Sequence, residues 1–344
     1  MRVGQLLTSG QLGTVPARAR VIEAAGFDIV YSDENRHDPF LPLAFVAEHT
    51  DRLELGTSIV VAFPRNPMQV ANAAHDLHLL SGGRFTLGLG SQVRAHIEKR
   101  YGVAWSRPVD RMREYVQALH AIWRCWNEGD PLRFQGEFFR HTLMTPNFTP
   151  PPSPHGPPRV HLAAVGERMT ALVGEVADGL SLHPFSTARY VQEVTLPALH
   201  RGLEKSGRDR SAITVCGRIF AITGWTEEQT AAAEDFARRR ISFYGSTPAY
   251  RPVLDVHGWG ALQEELNAMS KQGLWDDMAR QITPEVLDAF AVRGTPQQLP
   301  GLIEARYGAL FDEIQLGPPV SDEHAADLVA GLRAIRPVRS PAST

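Results

Sequence analysis

Ser81-Gly82-Gly83-Arg84-Phe85-Thr86-Leu87-Gly88-Leu89-Gly90-Ser91 reads as a helix-ending turn, a short buried strand and a glycine-rich bend. The residues before it, Met68 to Leu80, carry apolar side chains at helical spacing, and the Ser-Gly-Gly turn closes that helix. Arg84 to Leu89 then gives a strand. Gly88-Leu89-Gly90 begins like a dinucleotide fingerprint, but the third glycine would fall where Val93 stands. The segment is also the fourth strand–turn unit of the chain, not the first. These glycines therefore mark a place where backbone must approach something closely, and not an open nucleotide-binding sheet.

Strand and helix patterns alternate on both sides of this stretch. Arg2 to Leu7 reads as strand, Val15 to Ala25 as a helix stopped by Gly26, and Phe27 to Tyr31 as strand. Pro39 to His49 reads as helix, and Leu53 to Val61 (LELGTSIVV) as a strand apolar enough to be buried on both faces. Downstream, Val109 to Trp126 is amphipathic, with Met112, Tyr115, Leu119, Ile122 and Trp126 on one face. Phe134 to His141 reads as a small hairpin. Thr145 to Pro158 holds seven prolines, and is read as a surface insertion because the alternation resumes after it. Val160 to Ala164, Gly179 to His183, Ile213 to Thr223 and Phe311 to Leu316 are strands, with helices at Arg168 to Ala177 and Tyr190 to Ser206.

Eight strands, mostly followed by helices, make an α/β chain and favour a closed (β/α)8 TIM barrel with insertions over a doubly wound sheet. The expectation is one barrel domain over residues 1–336, with a surface insertion about 128–158, a strandless helical insertion about 226–293 and a disordered tail at 337–344. In such a barrel the active site lies where the strands end.

With 344 residues, 43% of them apolar, the chain can bury a large core, and its net charge of −3 leaves no basic stripe for nucleic acid or membrane. Arg238-Arg239-Arg240 follows Glu234 and Asp235 and reads as a salt-bridged helix face. Cys125 and Cys216 read as buried free thiols. Met1 runs directly into a strand pattern without signal-peptide features, so a cytoplasmic location is expected. No GxxxxGK[ST], GxSxG or HExxH motif is present. His75 and His78 share a helix face but lack a third ligand, so no metal is expected.

Three segments taken together carry a resemblance: Gly56-Thr57-Ser58-Ile59-Val60; Arg65-Asn66-Pro67 leading into Ser81 to Ser91; and Ala163-Ala164-Val165-Gly166 running to Gly174-Glu175-Val176-Ala177-Asp178-Gly179. Their order and spacing resemble the luciferase-like oxidoreductase superfamily, which holds bacterial luciferase, flavin monooxygenases and deazaflavin (coenzyme F420) dependent enzymes. The resemblance runs from Arg2 to about Pro318. It implies a bacterial luciferase-like barrel with an isoalloxazine-type ring at the carboxyl ends of the strands. Ser58-Ile59 matches a position where these enzymes often carry a non-prolyl cis peptide behind the ring. Gly90, Ser91 and Gln92 match the turn that approaches the cofactor, with His96 a polar side chain nearby. Ala164, Val165 and Gly166 match the loop that meets the ribityl-phosphate arm, where the helix start at Glu167-Arg168 offers free N–H groups to an anion. Asp33 matches a cofactor-contacting aspartate.

Glu34 stands where deazaflavin dehydrogenases of this resemblance carry a histidine implicated in catalysis. That departure puts a wholesale transfer of their mechanism in doubt. Glu34, His37 and His183 are the candidate catalytic residues, Glu34 only if burial tunes its acidity. The stretch Ser91 to Glu98 with Trp105-Ser106 looks like the F420 branch. The leading expectation is an F420-dependent oxidoreductase passing hydride to or from a small-molecule substrate. The alternative is an FMN-dependent monooxygenase fed by a separate flavin reductase, and a third is a non-catalytic flavin-binding barrel. A homodimer is implied by the family. Tyr244, Tyr250, His257 and Trp259 either line a lid or pack the insertion.

Overall fold

The computed structural model describes residues 1–7, 11–316 and 322–335. The expected tail at 337–344, and Pro318 at the edge of the resemblance, lie outside the described residues. The barrel strands are β1 (Arg2–Leu6), β2 (Ile29–Ser32), β3 (Glu54–Thr57), β4 (Phe85–Gly90), β5 (Arg159–Ala164), β6 (Gly179–Leu182), β7 (Thr214–Ile222) and β8 (Glu313–Leu316). All neighbours pair in parallel, and the ring closes because β7 pairs with both β6 and β8, and β1 with both β8 and β2. The expected (β/α)8 barrel is what the chain forms.

Two short strands complete the sheet. Val60–Val61 continues β3 and pairs with the end of β4. Ala291–Arg293 pairs with the upper end of β7, which corrects the reading of 226–293 as strandless. Three residues are too few for an alternation pattern to register. The rest of that insertion is helical, from Glu227–Gly245 to Pro284–Phe290, over its own apolar cluster around Phe185, Phe220 and Phe290. The main core lies between the barrel and helices including Val15–Ala24, Phe40–His49, Pro67–Leu80 and Pro108–Glu128. Phe134–Gln135 and Arg140–His141 form the expected hairpin. His75 Nε2 meets the Pro151 carbonyl at 3.0 Å and His78 Nδ1 the Phe85 carbonyl at 3.2 Å, so this pair anchors the ends of neighbouring segments. A helix the sequence reading missed, Asp322–Ile335, packs on Val15–Ala24 and ties in through Arg333 and Asp28 at 2.7 Å.

The stretch LELGTSIVV is not one continuous strand. It breaks at a cis peptide between Ser58 and Ile59, as the resemblance implied. Across the break the ladder between β3 and β4 is replaced by one side chain. Thr57 Oγ1 donates to the Gly88 carbonyl at 2.8 Å and accepts the Gly88 N–H at 2.8 Å. Thr57 is buried, so a Thr57→Val protein leaves two buried backbone groups unpaired. Denaturant unfolding of that variant should read a loss of about 2–3 kcal/mol.

Arg84 explains why a charged residue follows the Ser-Gly-Gly turn. Its guanidinium donates to the carbonyls of Ser81 (2.7 Å), Leu53 (2.5 Å), Ala47 (3.1 Å) and Thr50 (2.9 Å), stapling the start of β4 to the connection ahead of β3.

Candidate active site

Alternation along the strands decides which side chains enter the barrel. Near its floor, the Tyr31 hydroxyl donates to Glu313, and Cys216 Sγ donates to the same carboxylate at 3.3 Å. Arg2 closes this layer, 2.7 Å from Glu54 and 3.5 Å from Glu313. Burial pushes the Glu313 carboxyl up against the opposing pull of Arg2. Two residues further along, the same inward face carries Asp33 after β2, Arg218 on β7 and Gln315 on β8. These three form the layer under the mouth, with Ser58 and His183 beside them.

Asp33 is half-buried, and its Oδ2 accepts from Asn35 Nδ2 at 2.6 Å. Burial raises its carboxyl above the usual aspartate range, with Arg218 the leading opposing influence. Ser58 Oγ donates to Gln315 Oε1 at 3.4 Å, joining the peptide bulge to β8. Gly90 is bare for a reason: a Cβ there would lie 2.7 Å from Ile59 Cδ1, so the bulge and the glycine turn pack directly on each other. Ser91 and Gln92 follow, with Gln92 at a φ of 58° and its Oε1 accepting the Val93 N–H at 2.9 Å. A non-glycine residue in that region is uncommon, and the side-chain bond to the next amide offsets part of its cost.

Glu34, a candidate acid or base only if burial tuned it, is buried with both oxygens occupied. Its Oε2 accepts the Val61 N–H at 2.8 Å, and its Oε1 accepts the Tyr101 hydroxyl at 2.9 Å and lies 3.3 Å from Arg65. Buried and held from several elements, it locks the mouth loop to the continuation of β3. His37 is exposed on that loop and forms no hydrogen bond with a described residue.

His183 lies at the mouth, directly after β6. Its Nδ1 accepts the Phe185 N–H at 3.1 Å, so the neutral ring carries its proton on Nε2. Tyr244 and Tyr250 enclose it at ring-centre distances of 4.6 Å each. Burial first, then the Arg218 cation, hold its pKa down to about 3. His161, deeper in the barrel, is lowered by burial to about 4. Between those values and the ordinary 6.5 the unfolded chain binds more protons than the folded one, so stability falls as pH drops through that window. Denaturant midpoints measured across it should decline, and the decline should flatten in a His161→Gln/His183→Gln protein.

Ala164 is buried at the end of β5, and the Tyr190 hydroxyl donates to the Val165 carbonyl at 3.0 Å. Gly166 caps the helix Glu167–Val176 with no side-chain bond to its first amides. Gly166, Glu167 and Arg168 are exposed; Glu167 is tied to Arg201 at 2.6 Å. His96 is exposed on the short helix Arg94–Lys99. Of the suggested lid aromatics, Tyr244 and Tyr250 touch His183, whereas His257 and Trp259 stack on each other and His257 bonds Thr187. Arg218 and Gln315 were missed by sequence reading. The signal was there: a charge and an amide alternate with apolar neighbours on their strands, in step with Cys216 and Glu313.

Among the described residues no cluster of His, Cys, Asp and Glu fits a metal ion, and no helix is long and apolar enough to cross a membrane. Both cysteines are free and buried. A model of the luciferase-like monooxygenase family matches residues 1–313. The chain belongs to that family. An uncharacterised protein of Mycobacterium tuberculosis is 52% identical to this luciferase-like chain over 304 residues, 88% of this chain and 89% of that one. The 5,10-methylenetetrahydromethanopterin reductase of Archaeoglobus fulgidus is 27% identical over 314 residues, again 88% and 89%. The solved structure of the coenzyme F420 dependent tetrahydromethanopterin reductase from Methanopyrus kandleri superposes with a TM-score of 0.79 at 19% identity, covering 96% of each chain. The luciferase-like fold thus spans nearly the whole protein, and the chain is an oxidoreductase of that family.

Proposed function

We propose that this luciferase-like barrel is an F420-dependent oxidoreductase that transfers a hydride between the deazaflavin and a small organic substrate. The observation that carries the reading is Ile59 packed against bare Gly90, at the same barrel end as an uncapped helix start at Gly166. A flat ring and an anionic arm need those two features on one face. The reductase relatives and the F420 dependence named for the structural neighbour support it.

Bound deazaflavin would supply two-electron hydride chemistry at a ring carbon and little reactivity toward oxygen. Ile59 and Gly90 would back the ring, and the first amides of Glu167–Val176 would hold its phosphate, with Arg168 adding charge. The half-buried Asp33 carboxyl, raised above its usual range by burial, would take or give the proton that accompanies hydride transfer. His183 Nε2–H orients an acceptor, and Tyr244 and Tyr250 exclude water.

The test is anaerobic. Incubated with F420 and a panel of alcohols, the protein should bleach the deazaflavin's visible band without oxygen. Turnover that instead requires reduced FMN and oxygen would favour the monooxygenase reading, and binding of a ring with no turnover would favour a non-catalytic barrel.

A further inference from the structure

The inward face between β6 and β8 carries a guanidinium that no described residue bonds, although the Asp33 carboxyl lies within reach of its field. Arg218 is half-buried on β7, and no described residue forms an ion pair or hydrogen bond with its side chain. Arg2 and Arg65, the other arginines at the barrel's two ends, each meet two carboxylates, Glu54 with Glu313 and Glu34 with Asp38, and Arg84 fills its donors with carbonyls. Leaving a partly desolvated guanidinium unpaired is costly, so such a group points to a missing anion.

A second observation lies beside it. Gln315 is in register with Arg218 on the adjoining strand and is 2% exposed. Ser58 donates to its Oε1, and among the described residues nothing accepts from its NH2 end. Buried amide donors are seldom orphaned. The third donor is the Nε2–H of neutral His183, whose ring neighbours Tyr244 and Tyr250 supply an apolar wall.

We infer that this layer binds a substrate bearing one carboxylate, gripped by Arg218 with the Gln315 amide and His183 Nε2–H as neutral donors, its apolar part lying along Tyr244 and Tyr250. A planar carboxylate matches the two-nitrogen edge of a guanidinium. A phosphate monoester fits less well, because its second negative charge would face the Asp33 carboxyl with only one arginine to offset it. The inference rests on the oxidoreductase reading for its redox partner, but the anion site is defined by side chains of this chain alone.

Benzoate is the probe, with benzamide and phenyl phosphate as matched controls. Each is titrated calorimetrically into protein with and without saturating F420, and F420 affinity is measured separately by fluorescence. Benzoate should bind wild type, and bind Arg218→Gln at least about 30-fold more weakly. Arg218→Lys, which keeps the charge but not the fork, should fall between them. Benzamide and phenyl phosphate should bind wild type at least about tenfold more weakly than benzoate, and F420 affinity should stay within about twofold in the variants. Absence of benzoate binding to wild type, equal binding to folded Arg218→Gln, or phenyl phosphate binding tighter than benzoate would overturn the site. So would loss of F420 affinity in Arg218→Gln and Arg218→Lys alike, which would give the arginine to the cofactor. Arg218-dependent benzoate binding without any F420 binding to wild type would remove the function proposed above and leave this site standing.

Discussion

A Gly88→Ala protein will fail to accumulate as a folded, soluble barrel. The added Cβ would lie 1.9 Å from the Thr57 carbonyl oxygen, which is backbone and has no rotamer to escape into. Either β3 or β4 must move, and Thr57 holds both Gly88 backbone groups through its hydroxyl. Overpacking a core usually costs about 1–3 kcal/mol, but a backbone collision next to a broken ladder belongs at or above about 4 kcal/mol. Soluble yield and calorimetric melting are the readouts. Gly13→Ala is the control, because nothing lies within 4 Å of its Cβ. If Gly88→Ala melts with wild type, the close approach of β3 and β4 is wrong.

The second large effect is at Glu34. Glu34→Ala removes the acceptor for the buried Val61 N–H, the Tyr101 hydroxyl and Arg65 at once. Breaking one partner out of such a network costs about 3–5 kcal/mol, mostly from the groups left behind. Thermal unfolding should show that loss, and the proposed F420 binding beside Ser58-Ile59 should weaken along with it. Glu34→Gln separates positioning from catalysis. It keeps one oxygen for Tyr101 and Arg65, so the fold survives with a smaller loss, and the acidic limb of the pH–rate profile keeps its shape. If Glu34→Gln abolishes that limb in a fully folded protein, Glu34 is the proton-transfer group after all, and Asp33 is not.

The barrel was legible because β-period and helix-period segments alternate eight times, and because most strands are apolar runs buried on both faces. Hydropathy could not place the break in LELGTSIVV, since Ser58 and Ile59 suit a strand on either side; only the family resemblance marked it. Residues 33–37 all looked equally available at the mouth. Backbone direction separates them: Asp33 continues the inward face, while Glu34 turns sideways into Val61, Tyr101 and Arg65. Polarity alone cannot tell a carboxylate that waits for a substrate from one that is already satisfied. Arg218 and Gln315 escaped notice for a different reason: they lie on strands nearly a hundred residues apart in sequence, and only register brings them together.

Equilibrium binding of F420 to the purified wild-type protein, followed by quenching of deazaflavin fluorescence with FMN measured alongside, bears most directly on this account. Saturable F420 binding, one ring per chain and much tighter than FMN, is the predicted result. Tight FMN binding with no F420 binding would contradict it.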